Sequence, residues 1–202
     1  MKKQLFWILF LLGLIISFPL CSQDPDAWEA RQTDFQPPEK VIEAIGLKEG
    51  MIVGEIGAGQ GRYSVILAEK VGDKGHIYAN DIDQEALEYL NLRCRRDNIS
   101  NISTLRGKIK DPMLPANTLD MIFIVNSYHH FTYPVDVLKN AYPALKKGAT
   151  LAIIEGVPGR YGRMSSHATP SETLIKQVEE AGYTFIKVAA ELQRDNIYIF
   201  RK

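Results

Sequence analysis

Only two cysteines, Cys21 and Cys94, occur in the 202 residues, too few for a disulfide framework or a cysteine-built metal site. Charge of one sign is not in excess: 24 Lys and Arg face 24 Asp and Glu, which gives no electrostatic footprint for nucleic acid or an acidic membrane surface. Internal repeats and low-complexity tracts are absent from the sequence. The four histidines lack metal-ligand spacing, such as a pair one helical turn apart, so no metal is expected. What the chain does have is 46% hydrophobic residues. That is enough for one sizeable domain, in a length short for two.

The first 22 residues stand apart. Lys2 and Lys3 precede an uncharged apolar stretch from Leu5 to Leu20, and polar sequence follows. Basic start, apolar centre and small residues near a cut are the order of a secretory signal. The stretch is slightly long for a signal and short for a comfortable membrane span of about 20 residues. Three readings stay open: cleavage after Ser22, lipidation of Cys21, and an uncleaved membrane anchor. The expectation is an exported or membrane-anchored domain over residues 37–202, joined by a linker over 23–36. Loss of the leader leaves 22 basic against 24 acidic residues, and Cys94 then stands alone on a helical stripe with Leu87 and Leu90, in a packing role.

From Pro37 onward the chain alternates. EKVIEAIGL carries Val41, Ile42 and Ile45 at helical spacing, MIVGEI reads as a buried strand, and Arg62 to Val71 reads as helix. HIYAN is a strand, and Asp83 can cap the helix that presents Ala86, Leu87, Leu90 and Cys94 on one face. Strands follow at Ile102 to Leu105, Leu119 to Val125 and Thr150 to Glu155, with a helix from Val135 to Leu145 before the last. Thr169-Pro170-Ser171-Glu172 predicts a helix start with Thr169 as cap and Glu172 as the capping-box acid. Tyr183 to Val188 and Asn196 to Arg201 have no helix between them and should pair antiparallel. The expected fold is therefore α/β: a doubly wound, mostly parallel seven-stranded sheet with a C-terminal antiparallel hairpin and helices on both faces.

In such a sheet a ligand sits at the strand carboxyl ends, near the switch in strand order. VGEIGAGQG ends the first strand there, with Gly57, Gly59 and Gly61 two residues apart. A dinucleotide fingerprint, G-x-G-x-x-G, would need glycine where Arg62 stands. An acid, Asp81, ends the second strand, well placed for two ribose hydroxyls.

These residues carry a resemblance. Over roughly Pro37 to Lys202 the sequence resembles the class I S-adenosylmethionine-dependent methyltransferases. VGEIGAGQG resembles the family's first motif, which implies that Glu55, Ile56, Gly57, Gly59 and Gly61 lie against the methionine part of the cofactor. Asp81 stands where the family's ribose-binding acid sits, and Ile82 where an apolar residue packs on adenine. Leu114-Pro115 with Asn117-Thr118-Leu119-Asp120 resembles the LP…SFD stretch before the fourth strand. NSYHHF, from Asn126 to Phe131, resembles the segment after it and adds Asn126 to the cofactor residues. AGYTFIKV and DNIYIFRK resemble the terminal hairpin. One departure stands out: where the family often has Gly-Asp after the third strand, this chain has Gly107-Lys108, which leaves Asp111 to take the acid's role near the adenine amino group.

The resemblance implies methyl transfer from S-adenosylmethionine. The methyl is already electrophilic, so the protein mainly aligns an acceptor with the carbon–sulfur bond and excludes water. A hydroxyl, amine or thiol acceptor needs a base, and His129 and His130 are the candidates, with His130 favoured by the resemblance. Tyr128 is expected to line the pocket, and His167 to lie in loop before the Thr169 helix. No N/D-P-P-Y segment follows the fourth strand, so a small-molecule acceptor is expected rather than a nucleic-acid base. Export would separate the domain from the cytoplasm, where the cofactor is made. That keeps a second reading open, a nucleoside-binding protein of the same fold without transferase activity. A nicotinamide-dependent oxidoreductase is weaker, since Arg62 and the hairpin both oppose it.

Overall fold

The computed structural model describes residues 25–160 and 168–202. The leader with Cys21, and His167, lie outside the described residues. Seven strands form one sheet in the order β3-β2-β1-β4-β5-β7-β6. They are β1 (Ile52–Ile56), β2 (His76–Asp81), β3 (Ile102–Arg106), β4 (Leu119–Val125), β5 (Leu145–Gly156), β6 (Thr184–Glu191) and β7 (Asp195–Arg201). All pairings are parallel except β5 with β7 and β6 with β7, so the expected hairpin closes the sheet. An ordinary dinucleotide fold has order 3-2-1-4-5-6, and the inserted antiparallel β7 distinguishes this sheet from it.

Alternation along β4 explains how one strand serves two cores. Met121, Phe123 and Val125 pack on one face with Val41 and Ile45 of α2 (Pro38–Ile45) and Leu67 of α3 (Arg62–Val71). Ile122 and Ile124 pack on the other with Leu138 of α5 (Pro134–Ala141) and Leu174 of α6 (Ser171–Glu180). Side chains of a strand alternate faces, so a near-continuous apolar run is what a sheet covered on both sides demands. The helix α4 (Gln84–Arg96) is capped by the Asp83 carboxylate, which accepts the amide protons of Glu85 and Ala86. On its inner face Cys94 packs with Leu90 and Ala79.

Two local expectations change. The stretch expected as linker is helical as α1 (Pro25–Phe35), and a two-pronged ion pair ties it to α4. Arg93 Nη1 and Nη2 donate to Glu29 Oε1 and Oε2 at 2.6 and 3.0 Å. The mean polarity of α1 hides it from a search for apolar periodicity, because charge rather than an apolar stripe docks it. Thr169 does not cap α6, whose N-cap is Pro170 with no side-chain cap. Its hydroxyl donates instead to Glu155 Oε1 at 3.1 Å.

Candidate active site

The chain runs from β1 outward to β2 and β3, then returns to β4 on the far side of β1. Loops leaving β1 and β4 therefore diverge, and a crevice opens between their carboxyl ends. A cavity of about 150 Å³ lies there, lined by Glu55, Gly57, Gly59, Arg62 and Asn126, with Trp28 above them from α1.

The three glycines have different reasons. A Cβ on Gly57 would stand 2.4 Å from the Ser127 side chain, and one on Gly61 would stand 2.3 Å from Leu90. Both positions are closed by packing. At Gly59, with φ of 53°, nothing lies within 4 Å of the Cβ position, so this glycine opens on the cleft. Close approach of the protein to itself thus accounts for two of the glycines, and the third stands in open space at the cleft with a positive φ.

Asp81 meets the loop directly. Its Oδ2 accepts the Gly59 amide proton at 2.7 Å, and its Oδ1 accepts that of Asp83 at 2.9 Å. Ile82, the next residue, is 57% exposed, an apolar side chain left in solvent at the cleft's edge. The structure joins Gly107 to this corner through its amide on the Asp81 carbonyl. Asp111 is turned to its own loop: its carboxylate accepts the Met113 amide proton, and the residue does not line the cavity. Asp81 and Ile82 likewise lie outside the residues that line it. Ile56 is buried in the core with only its backbone at the site, where its carbonyl accepts the Ser127 hydroxyl.

Opposite charges face the cavity. Glu55 is buried and accepts a hydrogen bond from Ser64 Oγ at 2.5 Å. Burial raises its carboxyl pKa to about 7, against the lowering pull of Ser64 and Arg62. Arg62 lies over the Tyr63 ring at 4.3 Å and donates to Gln36 Oε1 through Nη2. Its Nη1 is a buried donor with no hydrogen-bond partner among the described residues. Gln36, wholly buried, donates through Nε2 to Asn126 Oδ1 at 2.9 Å and Asp195 Oδ2 at 2.8 Å. Asn126 holds a positive φ of 51° there. Gln36 and Asp195 escaped the sequence reading: one lay in the supposed linker, the other in the final hairpin, and no local motif marks either.

Past Asn126 the chain makes a short 3₁₀ turn from Tyr128 to His130. The two histidine rings have centroids 4.1 Å apart. His130 is exposed. The side chain of His129 is 7% exposed, and its Nδ1 lies 2.9 Å from Oε1 of the fully buried Glu155. Tyr128 belongs to the core, with its hydroxyl donating to Gln177 Oε1.

Residues 53–148 match the model of a methyltransferase domain. Among solved structures, a SAM-dependent methyltransferase from Aquifex aeolicus superimposes with a TM-score of 0.76 at 29% identity, covering 88% of this chain and 93% of that one. Among curated proteins, the demethylmenaquinone methyltransferase of Listeria welshimeri is 22% identical over 60% of this chain. The erythromycin 3''-O-methyltransferase of Saccharopolyspora erythraea is 27% identical over 78%. The chain spans about half the length of these relatives, 53% and 58%. The fold and the site define a Rossmann-like cofactor-binding protein. More particularly, the chain carries a class I S-adenosylmethionine-dependent methyltransferase domain, and S-adenosylmethionine is that family's cofactor.

Proposed function

We propose that the chain transfers the methyl group of S-adenosylmethionine to a small-molecule acceptor. The observation that carries this reading is the cavity beside Gly59 and Asp81, which presents one buried acid and one buried base with an unmatched donor. The amino-acid end of the cofactor bears an ammonium and a carboxylate. Glu55 suits the first and Arg62 Nη1 the second, since a buried charge is stabilised only by a partner of opposite sign. Asp81 offers carboxylate oxygens at the end of β2, where ribose hydroxyls would donate. Ile82 offers apolar surface to the adenine.

Support for a small acceptor comes from the neutral overall charge and from two relatives whose names give a menaquinone precursor and an erythromycin sugar. When bound, the cofactor supplies an activated methyl group. The protein's part is to hold the amino-acid end rigidly, exclude water and accept a proton from the acceptor. From residues 1–22 we further propose that the domain works at the cell envelope, by export or anchoring; fractionation that finds the chain wholly in the cytosol overturns this.

The test is calorimetric titration of the full-length chain in mild detergent with S-adenosylmethionine and with NAD. Saturable binding of the first alone, with transfer of tritium from its labelled methyl group to a small-molecule cell extract, is the expected result. Binding of NAD alone, or binding of S-adenosylmethionine with no transfer, overturns the transferase reading.

A further inference from the structure

Helix α1 takes up chain that was expected to be a free linker, and it is fixed near both ends. Close to its start, Glu29 is held by both Nη atoms of Arg93. At its end the Arg194 guanidinium lies 3.3 Å over the Phe35 ring, and buried Gln36 donates to Asn126 and Asp195. Trp28 and Glu29, on the stretch so fixed, line the cavity. This shortens the reach of anything attached ahead of α1. A free linker over 23–36 would span about 50 Å at full extension. From Leu20, where the apolar leader stretch ends, to Pro25, five steps of chain remain, at most about 18 Å. Trp28 comes one helical turn later, roughly 5 Å along the axis. A leader retained in a bilayer therefore keeps the rim of the cleft within roughly 25 Å of it.

Apolar side chains are exposed along the same edge. Strands β3 and β4 run parallel to β2 and β1, so the segments that follow them leave on the side of the cleft. After β3 the chain makes a tight turn closed by the Lys108 amide on the Asp111 carbonyl at 2.7 Å, and Ile109 at its tip is 63% exposed. Turn tips favour glycine, asparagine and aspartate for backbone reasons that isoleucine does not share. Met113, 47% exposed, holds a positive φ of 57° that is equally foreign to it. Lys110 Nζ joins this segment to Tyr133, lying 4.0 Å over an exposed ring. Trp28 on α1 is exposed as well. Local backbone geometry asks for none of these apolar residues, whereas a bilayer suits them all. Aliphatic side chains enter its interface, and the polar ends of Lys, Tyr and Trp stay among the headgroups. We propose that this edge rests on a lipid bilayer, held there by the retained leader, and that the methyl acceptor is a lipid-soluble molecule drawn from the bilayer into the cleft. The inference rests on the transferase and envelope readings above. Because the chain's charges balance, the attraction is apolar and neutral lipid suffices. A mouth set against the bilayer meets solutes concentrated there and keeps bulk water from the activated methyl group.

The experiment places the full-length chain in phosphatidylcholine vesicles whose lipid carries a diazirine on one acyl chain, and maps lipid adducts by mass spectrometry after photolysis. Adducts should fall on the leader, on residues 109–113 and on Tyr133. Ile186 and Val188 are also exposed, but they lie on β6 at the far side of the sheet. They should carry about tenfold fewer adducts, since only a surface lying in the interface meets acyl chains. A second chain, with twenty Gly and Ser residues inserted between Asp24 and Pro25, has a tether about five times longer. Local concentration falls roughly as the −3/2 power of tether length, so its edge adducts should drop about tenfold. Its leader adducts and its affinity for S-adenosylmethionine should not change. Vesicles that also contain the organic extract of the source cells should take tritium from labelled S-adenosylmethionine into organic-soluble product, and the insertion should lower that transfer to a similar degree. Leader adducts without edge adducts, equal adducts on the edge and on Ile186, or label confined to water-soluble product overturn the proposal. So does a purified chain that begins after Ser22, or an insertion that leaves the edge adducts unchanged. Wild type that transfers no label to any fraction overturns the transferase reading and the acceptor class with it, while edge adducts would still establish the docking.

Discussion

Asp81 and Gly59, 22 residues apart, are joined by a 2.7 Å hydrogen bond from the Gly59 amide to Asp81 Oδ2. The bond couples the end of β2 to the only one of the three loop glycines with open space around it. Asp81 thus shapes the loop before a ligand arrives, and under the function proposed above its carboxylate would also meet the ribose hydroxyls.

Asp81→Ala should therefore weaken S-adenosylmethionine binding by about 1.5–3 kcal/mol, the range for hydrogen bonds to a charged group. Calorimetry on the variant reads this directly. Asp81→Asn, which can still accept from Gly59, should lose less. Equal affinity in wild type and alanine variant, with the fold intact, would make Asp81 a loop brace alone.

Glu55 links stability to pH. Its unfolded carboxyl ionises near 4.5, whereas in the folded chain burial lifts the value to about 7. Below pH 4.5 both states hold the proton and the group contributes nothing to the difference. Between 4.5 and 7 the unfolded chain has lost the proton and the folded chain retains it, so stability falls as pH rises. Above 7 the whole cost is present, on the order of 3 kcal/mol. Glu55→Gln should remove this slope and raise stability at pH 8, measured by urea denaturation at pH 5 and pH 8. The same substitution should weaken cofactor binding, because a neutral amide no longer pairs with the ammonium. A variant no more stable at pH 8 would mean that the carboxylate is better solvated than its burial implies.

Much of the sheet was legible because its signals are local. Strand β4 and helix α3 fall at their expected bounds, since a seven-residue run that is apolar except for Asp120 and a glycine-to-glycine helix leave little choice of boundary. Motif residues Glu55, Gly59 and Asp81 converge because the topology brings the carboxyl ends of all strands but the antiparallel β7 to one edge. What escaped depends on contacts distant in sequence. Gln36 meets Asp195 across 159 residues, and Glu155 meets both His129 and Thr169. Thr169-Pro170-Ser171-Glu172 fits a local cap rule, yet the hydroxyl is drawn off by a buried carboxylate, a tertiary demand that outweighs the cap.

Glycine substitutions separate packing from binding. Gly57→Ala puts a methyl group 2.4 Å from Ser127 at a φ of 78°, and should destabilise the chain by about 1–3 kcal/mol from overpacking and backbone strain. Gly59→Ala meets only the conformational penalty of a positive φ, about 1 kcal/mol, but sets a methyl group in the cleft. It should keep most of its stability and lose cofactor affinity more than in proportion. Thermal denaturation with and without S-adenosylmethionine compares the two. A larger stability loss at Gly59 than at Gly57 would contradict the steric assignment.

Arg62 gives the sharpest test of how the cofactor lies. It stands where a dinucleotide fold requires glycine, and its guanidinium is held over Tyr63 with Nη1 buried and unmatched among the described residues. If that donor meets the cofactor's carboxylate, Arg62→Met should weaken S-adenosylmethionine binding by about 2–4 kcal/mol, since a desolvated charge loses its partner. The stability of the ligand-free chain should change less, because the substitution also removes a costly buried cation. The comparison ligand is 5'-methylthioadenosine, which keeps the adenine and ribose and lacks both amino-acid charges. Its affinity should be the same for wild type, Arg62→Met and Glu55→Gln, and reduced only in Asp81→Ala. Parallel losses for both ligands in Arg62→Met would mean that the arginine shapes the cavity without touching the carboxylate, and the orientation of the cofactor's amino-acid end would have to be reversed or moved.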